Sequence, residues 1–152
     1  MKELIVIIDI SGSMYAMGKA SVVGNVLSTL SALDNLGDEN ESLAITKMQW
    51  DGTCADFEKL IEKCSGKNVL LLTDGYALTD NCKTSGTVKS FLEQNCMNFF
   101  VVLCGGDAMK ISAAKEFRRV RNVSADNILF ALEALSWSNG NNKFADKEEN
   151  WE

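Results

Sequence analysis

The sequence contains no histidine and no proline. Without histidine, Ser-His-Asp triads, Cys-His pairs and His-ligated zinc are all excluded. The absence of proline excludes no function. Five cysteines, at 54, 64, 82, 96 and 104, include no CxxC pair, and an odd number cannot all pair within one chain. Unpaired thiols in a reducing cytoplasm are therefore expected. No apolar run reaches the 18 residues of a membrane span. The opening stretch MKELIVIIDISGSM carries Glu3 and Asp9 and lacks the longer apolar core and cleavage site of a signal peptide. Basic residues are in the minority, 15 against 21 acidic, for a net charge of −6. Nucleic-acid affinity is built from clustered Lys and Arg, so a nucleic-acid partner is not expected, and neither is a membrane. No G-x-x-x-x-G-K-[ST] or G-x-G-x-x-G run is present, which disfavours the familiar modes of nucleotide binding.

What is present is an ordinary globular mixture, 46% hydrophobic and 24% charged, over 152 residues. That length suits one domain with a core of its own. Apolar runs at 4–9, 43–48, 69–73 and 99–104 are too short for helices and rich in Val, Ile, Leu and Phe. Their continuous rather than alternating apolarity suits central strands of a parallel sheet, covered on both faces. A weaker fifth strand candidate lies at 119–123. Between the runs, Val22, Val23, Val26, Leu27, Leu30 and Leu33 form one helical stripe ending near Gly37, and Phe57, Leu60, Ile61 and Cys64 form another before Gly66. Shorter stripes lie at Val88–Leu92, Ala113–Phe117 and Ile128–Leu135, the last with Ser124 as a candidate N-cap. Strands alternating with helices predict a doubly wound α/β fold, a three-layer α/β/α sandwich of Rossmann-like type. The order expected for its central strands is 2-1-3-4-5, which requires the third strand to lie beside the first. The expected domain covers 1–137. Residues 138–152 form a polar, Asn-rich and acidic tail punctuated by Phe144 and Trp151.

In such a sheet, function gathers beyond the carboxyl ends of the strands, where the strand order reverses. The first strand ends in Asp9-Ile10-Ser11-Gly12-Ser13-Met14 and the third in Thr73-Asp74-Gly75. Side by side, Asp9 and Asp74 would stand about 5 Å apart. Two ionised carboxylates at that distance repel by about 3 kcal/mol at an effective dielectric of 20. A cation should sit between them, or one of them should hold a proton. The alternation Asp-x-Ser-x-Ser favours a hard divalent cation bound through oxygen, Mg²⁺ first, with Mn²⁺ or Ca²⁺ as alternatives. Neutral hydroxyl ligands leave such an ion with much of its charge, so it would attract an anionic ligand from outside. Singly, Asp9 and Asp74 are equally explained as caps of the turns after their strands, and Ser13 as the N-cap of the first helix. Thr73 reads as the end of its strand.

The run Asp9-x-Ser11-x-Ser13 after an apolar strand, with Gly12 and Met14, resembles the metal-ion-dependent adhesion site of von Willebrand factor type A domains. Asp51-Gly52-Thr53-Cys54, opening the second helix, is similar to that family's Gly-Gly-Thr segment, with Asp51 in place of the first glycine. Val69–Gly75 is similar to the strand carrying its second aspartate. The resemblance spans about residues 2–136, in the family's order. It implies a metal held by Asp9, Ser11, Ser13, Thr53 and Asp74: hydroxyls from the two serines and the threonine, the aspartates acting directly or through water. It further implies a protein partner that completes the metal with an Asp or Glu, without catalysis. The family usually has a two-stranded hairpin before the threonine. Here only 42–50 fills that space, so the edge strand is expected to be missing or reduced to Met48-Gln49-Trp50. Asp74–Asp80 also resembles a loop of a bacterial intracellular subgroup associated with tellurium resistance and stress response, although the proline of that loop is absent. The resemblance extends to a place in a multiprotein assembly.

Two other readings stay open. A Mg²⁺-dependent phosphoryl-transfer enzyme could use Asp9 as nucleophile, but Ser11 stands where such enzymes usually carry a second Asp. A metal-free structural domain would pair its carboxylates with Lys19 or another cation. Cys54 reads as an idle thiol, and Cys64, Cys96 and Cys104 read as core. Cys82, in a polar loop, is expected to be reactive. Tyr15, Met14, Tyr76 and Trp50 are expected around the mouth of the site.

Overall fold

The computed structural model describes residues 2–36, 43–77, 98–105, 108, 120–125 and 128. Five strands form one sheet: β1 (Lys2–Asp9), β2 (Leu43–Trp50), β3 (Asn68–Thr73), β4 (Asn98–Leu103) and β5 (Val120–Ser124). All four pairings are parallel. The order is β2-β1-β3-β4-β5, so the direction of winding reverses between β1 and β3. The doubly wound α/β fold read from the apolar runs is the observed one.

The runs are apolar on both faces because both faces are covered. Helix α1 (Lys19–Leu36) lays Val23, Val26 and Leu30 on one face, against Leu4, Val6, Leu70, Leu72, Phe100 and Val102. Helix α2 (Cys54–Glu62) lays Phe57, Leu60 and Ile61 on the other, against Ile5, Ile7, Val69, Leu71, Phe99 and Val101. Alternate residues of β1 and β3 thus feed two separate cores, the period of a strand sandwiched between helical layers. Every residue of β3 is buried.

Of the two outcomes expected at the edge, a missing strand or one reduced to 48–50, the second is not observed, and among the described residues no strand lies beyond β2. Residues 48–50 are not a separate strand; they complete β2, paired with Ile7–Asp9 of β1. Trp50 is fully buried, its ring 5.0 Å from that of Phe57, and its indole N–H donates to the Thr53 carbonyl at 2.8 Å. Met14 is buried as well. Neither lies at the mouth of the site, because each fills a core pocket under the loops. Of the thiols, Cys64 and Cys104 are buried, as expected, and Cys54 is partly buried with its Sγ 3.8 Å from Glu58 Oε1. Cys82, Cys96, the stripes at 88–92 and 113–117, most of the one at 128–135, and the tail lie outside the described residues. Among the described residues, no helix is long and apolar enough to cross a membrane.

Candidate functional site

The carboxyl ends of β1, β2 and β3 carry the chemistry-bearing residues, and their register explains how these meet. Ile8 pairs with Leu72, so Asp9 and Thr73 end adjacent strands side by side. Thr73 Oγ1 donates to Asp9 Oδ2 at 2.6 Å, and the Ser11 backbone N–H donates to Asp9 Oδ1 at 2.8 Å. Asp9 is 2% exposed and both its oxygens are occupied by neutral donors. Thr73 Oγ1 in turn accepts from the Gly75 N–H at 3.0 Å. Thr73 therefore fastens the β1 carboxylate to the β3 loop, a role its reading as a strand end did not include.

Asp74 is wholly buried. Its Oδ1 accepts from the Tyr76 N–H at 3.2 Å, and its Oδ2 meets the Lys19 ammonium at 3.0 Å. Lys19 is itself only 2% exposed; its Nζ lies 3.4 Å from the Ser13 carbonyl and 5.6 Å from the centre of the Tyr76 ring. The ammonium thus links Ser13 to Asp74 across the reversal point. Of the alternatives left open by the sequence, pairing of a carboxylate with Lys19 is present.

Between β1 and α1 the chain makes a 3₁₀ turn (Gly12–Tyr15) and then passes through Met17 and Gly18 at φ 57° and 74°. Helix α1 starts only at Lys19, so Ser13 is not its N-cap; it sits exposed in the 3₁₀ turn, its carbonyl accepting from the Ala16 N–H. Ser11 precedes that turn without capping it through its side chain. Among the described residues, the Ser11 hydroxyl oxygen is buried without a hydrogen-bond partner, which ordinarily costs about 1–3 kcal/mol.

The β2–α2 loop reaches the same place through Gly52. At φ 93°, a Cβ there would lie 2.7 Å from Ser11 Cβ and 3.5 Å from that of Ala77, so only glycine permits this approach. Thr53, next in sequence, is the exposed N-cap of α2: its Oγ1 accepts from the Asp56 N–H at 3.2 Å and donates to Asp51 Oδ1 at 2.7 Å. The Thr53 N–H reaches the same Asp51 oxygen at 2.8 Å. These hydrogen bonds, the side-chain one foremost, hold the Asp51 carboxyl below its ordinary 3.8. Asp51 therefore holds the threonine hydroxyl in the cap.

Behind the site, burial pushes the Cys104 thiol up to about 12, with Asp74 and Asp9 adding to the shift against a hydrogen bond with the Thr73 backbone. At neutral pH this thiol is protonated and inert.

Asp9, Ser11, Thr73 and Asp74 thus converge with Ser13 and Lys19, while Thr53 adjoins them through Gly52. Among the described residues, no three Cys, Asp or Glu side chains gather as a metal cluster, so a cation here would depend on hydroxyls. The donor set fits a hard divalent ion. Its candidate ligand atoms are oxygens: two buried carboxylates for charge, one oxygen of Asp74 being held by the Lys19 ammonium, and a buried Ser11 hydroxyl without a partner among the described residues.

No family model matches the chain, and no curated protein does.

Proposed function

We propose that the protein is a non-catalytic interaction module of the von Willebrand factor type A kind, holding a divalent cation at the carboxyl end of the sheet. Ser11, Ser13 and Thr53 would hold the ion through hydroxyls, with Asp9 and Asp74 contributing charge directly or through water. Bound Mg²⁺ would supply a positive charge that hydroxyls leave incompletely neutralised, a docking point for an Asp or Glu of a partner protein. The observation that carries this reading is the Ser11 hydroxyl, buried and unpartnered between a buried carboxylate and the Gly52 loop. Tyr15 and Met17, 72% and 75% exposed, stand beside Ser13 as apolar contacts for the partner surface. A cytoplasmic setting, a multiprotein assembly and a bacterial stress response extend the same family reading.

Phosphoryl transfer from Asp9 is the weaker account. Such enzymes usually carry a second Asp two residues after the nucleophile as the acid/base, and Ser11 occupies that place. The metal-free reading has the Lys19–Asp74 pair in its favour. Calorimetric titration with Mg²⁺ and Mn²⁺ separates the two. The proposal expects saturable binding by the wild type and its loss in Ser11→Ala, a substitution that removes the hydroxyl without emptying a core pocket. Capture of partners from the native cell should then require the ion and fail with chelator. An absence of binding heat for either metal would leave the Lys19-paired domain as the reading.

A further inference from the structure

β2 is the outermost strand of the order β2-β1-β3-β4-β5, with no strand beyond it among the described residues. It runs for 8 residues, about 26 Å, in unbroken register with β1 from Lys2↔Leu43 to Asp9↔Trp50. Its middle carries Thr46 and Lys47, both exposed, with Ala44, Ile45 and Met48 half-buried beside them. A strand edge presents a row of backbone donors and acceptors to any other strand, and proteins usually guard it with proline, bulges or charge. Here the pairing with β1 has no bulge, the chain has no proline, and Lys47 is the only charged residue of the strand.

The ladder with β1 fixes which backbone groups face outward. The Ile10 N–H donates to the Trp50 carbonyl at 2.8 Å, so Trp50 turns its backbone groups toward β1. The side alternates along a strand, so Ala44, Thr46 and Met48 also face β1, while Leu43, Ile45, Lys47 and Gln49 face outward. A second copy can pair antiparallel with this edge about a two-fold axis normal to the sheet, which keeps each helical layer on its own side. The residue on the axis then stands opposite itself. With Lys47 there, like charges would meet. With Thr46 there, two threonines meet in a non-hydrogen-bonded pair, where opposed side chains are nearest and hydroxyls can bond. Ile45 then faces Lys47 and Leu43 faces Gln49, so the outward N–H and C=O groups of all four are matched. On the α2 side the half-buried Ala44 and Met48 face each other, and on the α1 side the Lys47 stem lies over Ile45.

We infer that β2 joins β2 of a second copy of this chain, antiparallel and with Thr46 on the two-fold axis, to make one continuous sheet across two molecules. The strand fits itself: the register that matches its outward backbone groups also separates the two lysines and brings together its half-buried apolar side chains. The pairing stands independently of the proposed cation site. β2 leads at its carboxyl end into Asp51-Gly52-Thr53, and the two strands run in opposite directions. The dimer therefore carries its two candidate sites at opposite ends of the seam.

Sedimentation equilibrium over a range of protein concentrations measures the association. Wild type should pass from monomer to dimer; a monomer throughout would overturn the pairing and leave the edge to a strand of another protein. Thr46→Cys, oxidised in solution, should form a disulfide between the two copies of position 46, because opposed Cα atoms in such a pair lie about 4.5 Å apart. Gln49→Cys, exposed on the same strand, should not link to its own copy, since the two positions stand about 20 Å apart in this register. Peptide mapping separates these bonds from any made by the five native cysteines. Linkage at both positions, or at neither, would overturn the register. Two further variants alter the seam and spare the ladder with β1. Thr46→Lys sets two ammoniums together and should weaken the dimer about fivefold or more. Lys47→Pro removes an outward N–H that β1 does not use, and should abolish the dimer. Both variants as dimeric as wild type would overturn the proposal, and if neither folds, the linkage of Thr46→Cys decides it.

Discussion

Two corners of the sheet's carboxyl end pair a threonine hydroxyl with an aspartate at nearly the same distance, 2.6 Å for Thr73 to Asp9 and 2.7 Å for Thr53 to Asp51. Asp9 and Thr73 are buried, and the adjacent Asp74 needs a buried lysine. Asp51 and Thr53 are exposed, and water does most of the neutralising. Equal bond lengths therefore do not mean equal energies. A charge removed from water depends on its partner for several kcal/mol, and one left in water depends on it for a fraction of that.

The sharpest way to break the comparison is to remove the charge at the buried corner. Asp74→Ala takes from the buried Lys19 ammonium the carboxylate 3.0 Å away, and should destabilise the metal-free protein by up to about 3 kcal/mol in denaturant titration. The double variant Lys19→Met/Asp74→Leu should recover much of that loss, because it removes both buried charges together. A double variant as unstable as the sum of its singles would mean that the pair is not coupled.

The next largest effect tests whether the two corners are joined. Gly52 is the point of contact, its backbone at φ 93° and its hydrogen facing Ser11. Gly52→Ala has to move either the Ser11 loop or the β2–α2 loop, and also places an L side chain at positive φ. A loss of about 2–3 kcal/mol is expected from strain and overpacking together. The same variant should weaken the proposed divalent-ion binding, since it displaces Ser11 and Thr53 relative to each other. Unchanged stability and unchanged binding would separate the corners.

How much of this could be read beforehand differs between the same two regions. The strands were legible because a strand covered on both faces is apolar at every position, as in Val69 to Leu72. The nearness of Asp9 and Asp74 followed only on the condition that the third strand lies beside the first, because the apolar runs do not themselves set the strand order; the observed order meets it. The part played by Thr73 was not legible. It depends on β1 and β3 being paired Ile8 to Leu72, and parallel strands joined by long crossovers carry no local signal of register. Ser13 had the composition of an N-cap, yet α1 begins six residues later, after a left-handed pair at Met17 and Gly18. Left-handed Met is rare enough that no propensity argument would place it there. Trp50 suggested an aromatic at the mouth until β2 continued through it and turned the ring against Phe57.

The exposed corner gives the smallest effect and the cleanest sign. Asp51 accepts from both the hydroxyl and the N–H of Thr53, which holds its carboxyl below its ordinary 3.8 in the folded protein. A folded value below the unfolded one means that the unfolded chain binds the proton more readily. The stabilisation is therefore complete above the unfolded value and is lost as pH falls through the folded one. Neutral and mildly acidic solutions should leave this loop intact, and the Asp51 carboxyl resonance should titrate below 3.8. Thr53→Ala removes the hydroxyl donor and the cap on the Asp56 N–H together. It should raise the Asp51 midpoint toward the ordinary value and cost about 1 kcal/mol of stability at neutral pH. If the midpoint does not move, Asp51 is not what holds the threonine, and Thr53 is freer to face the proposed cation site than its hydrogen bonds imply.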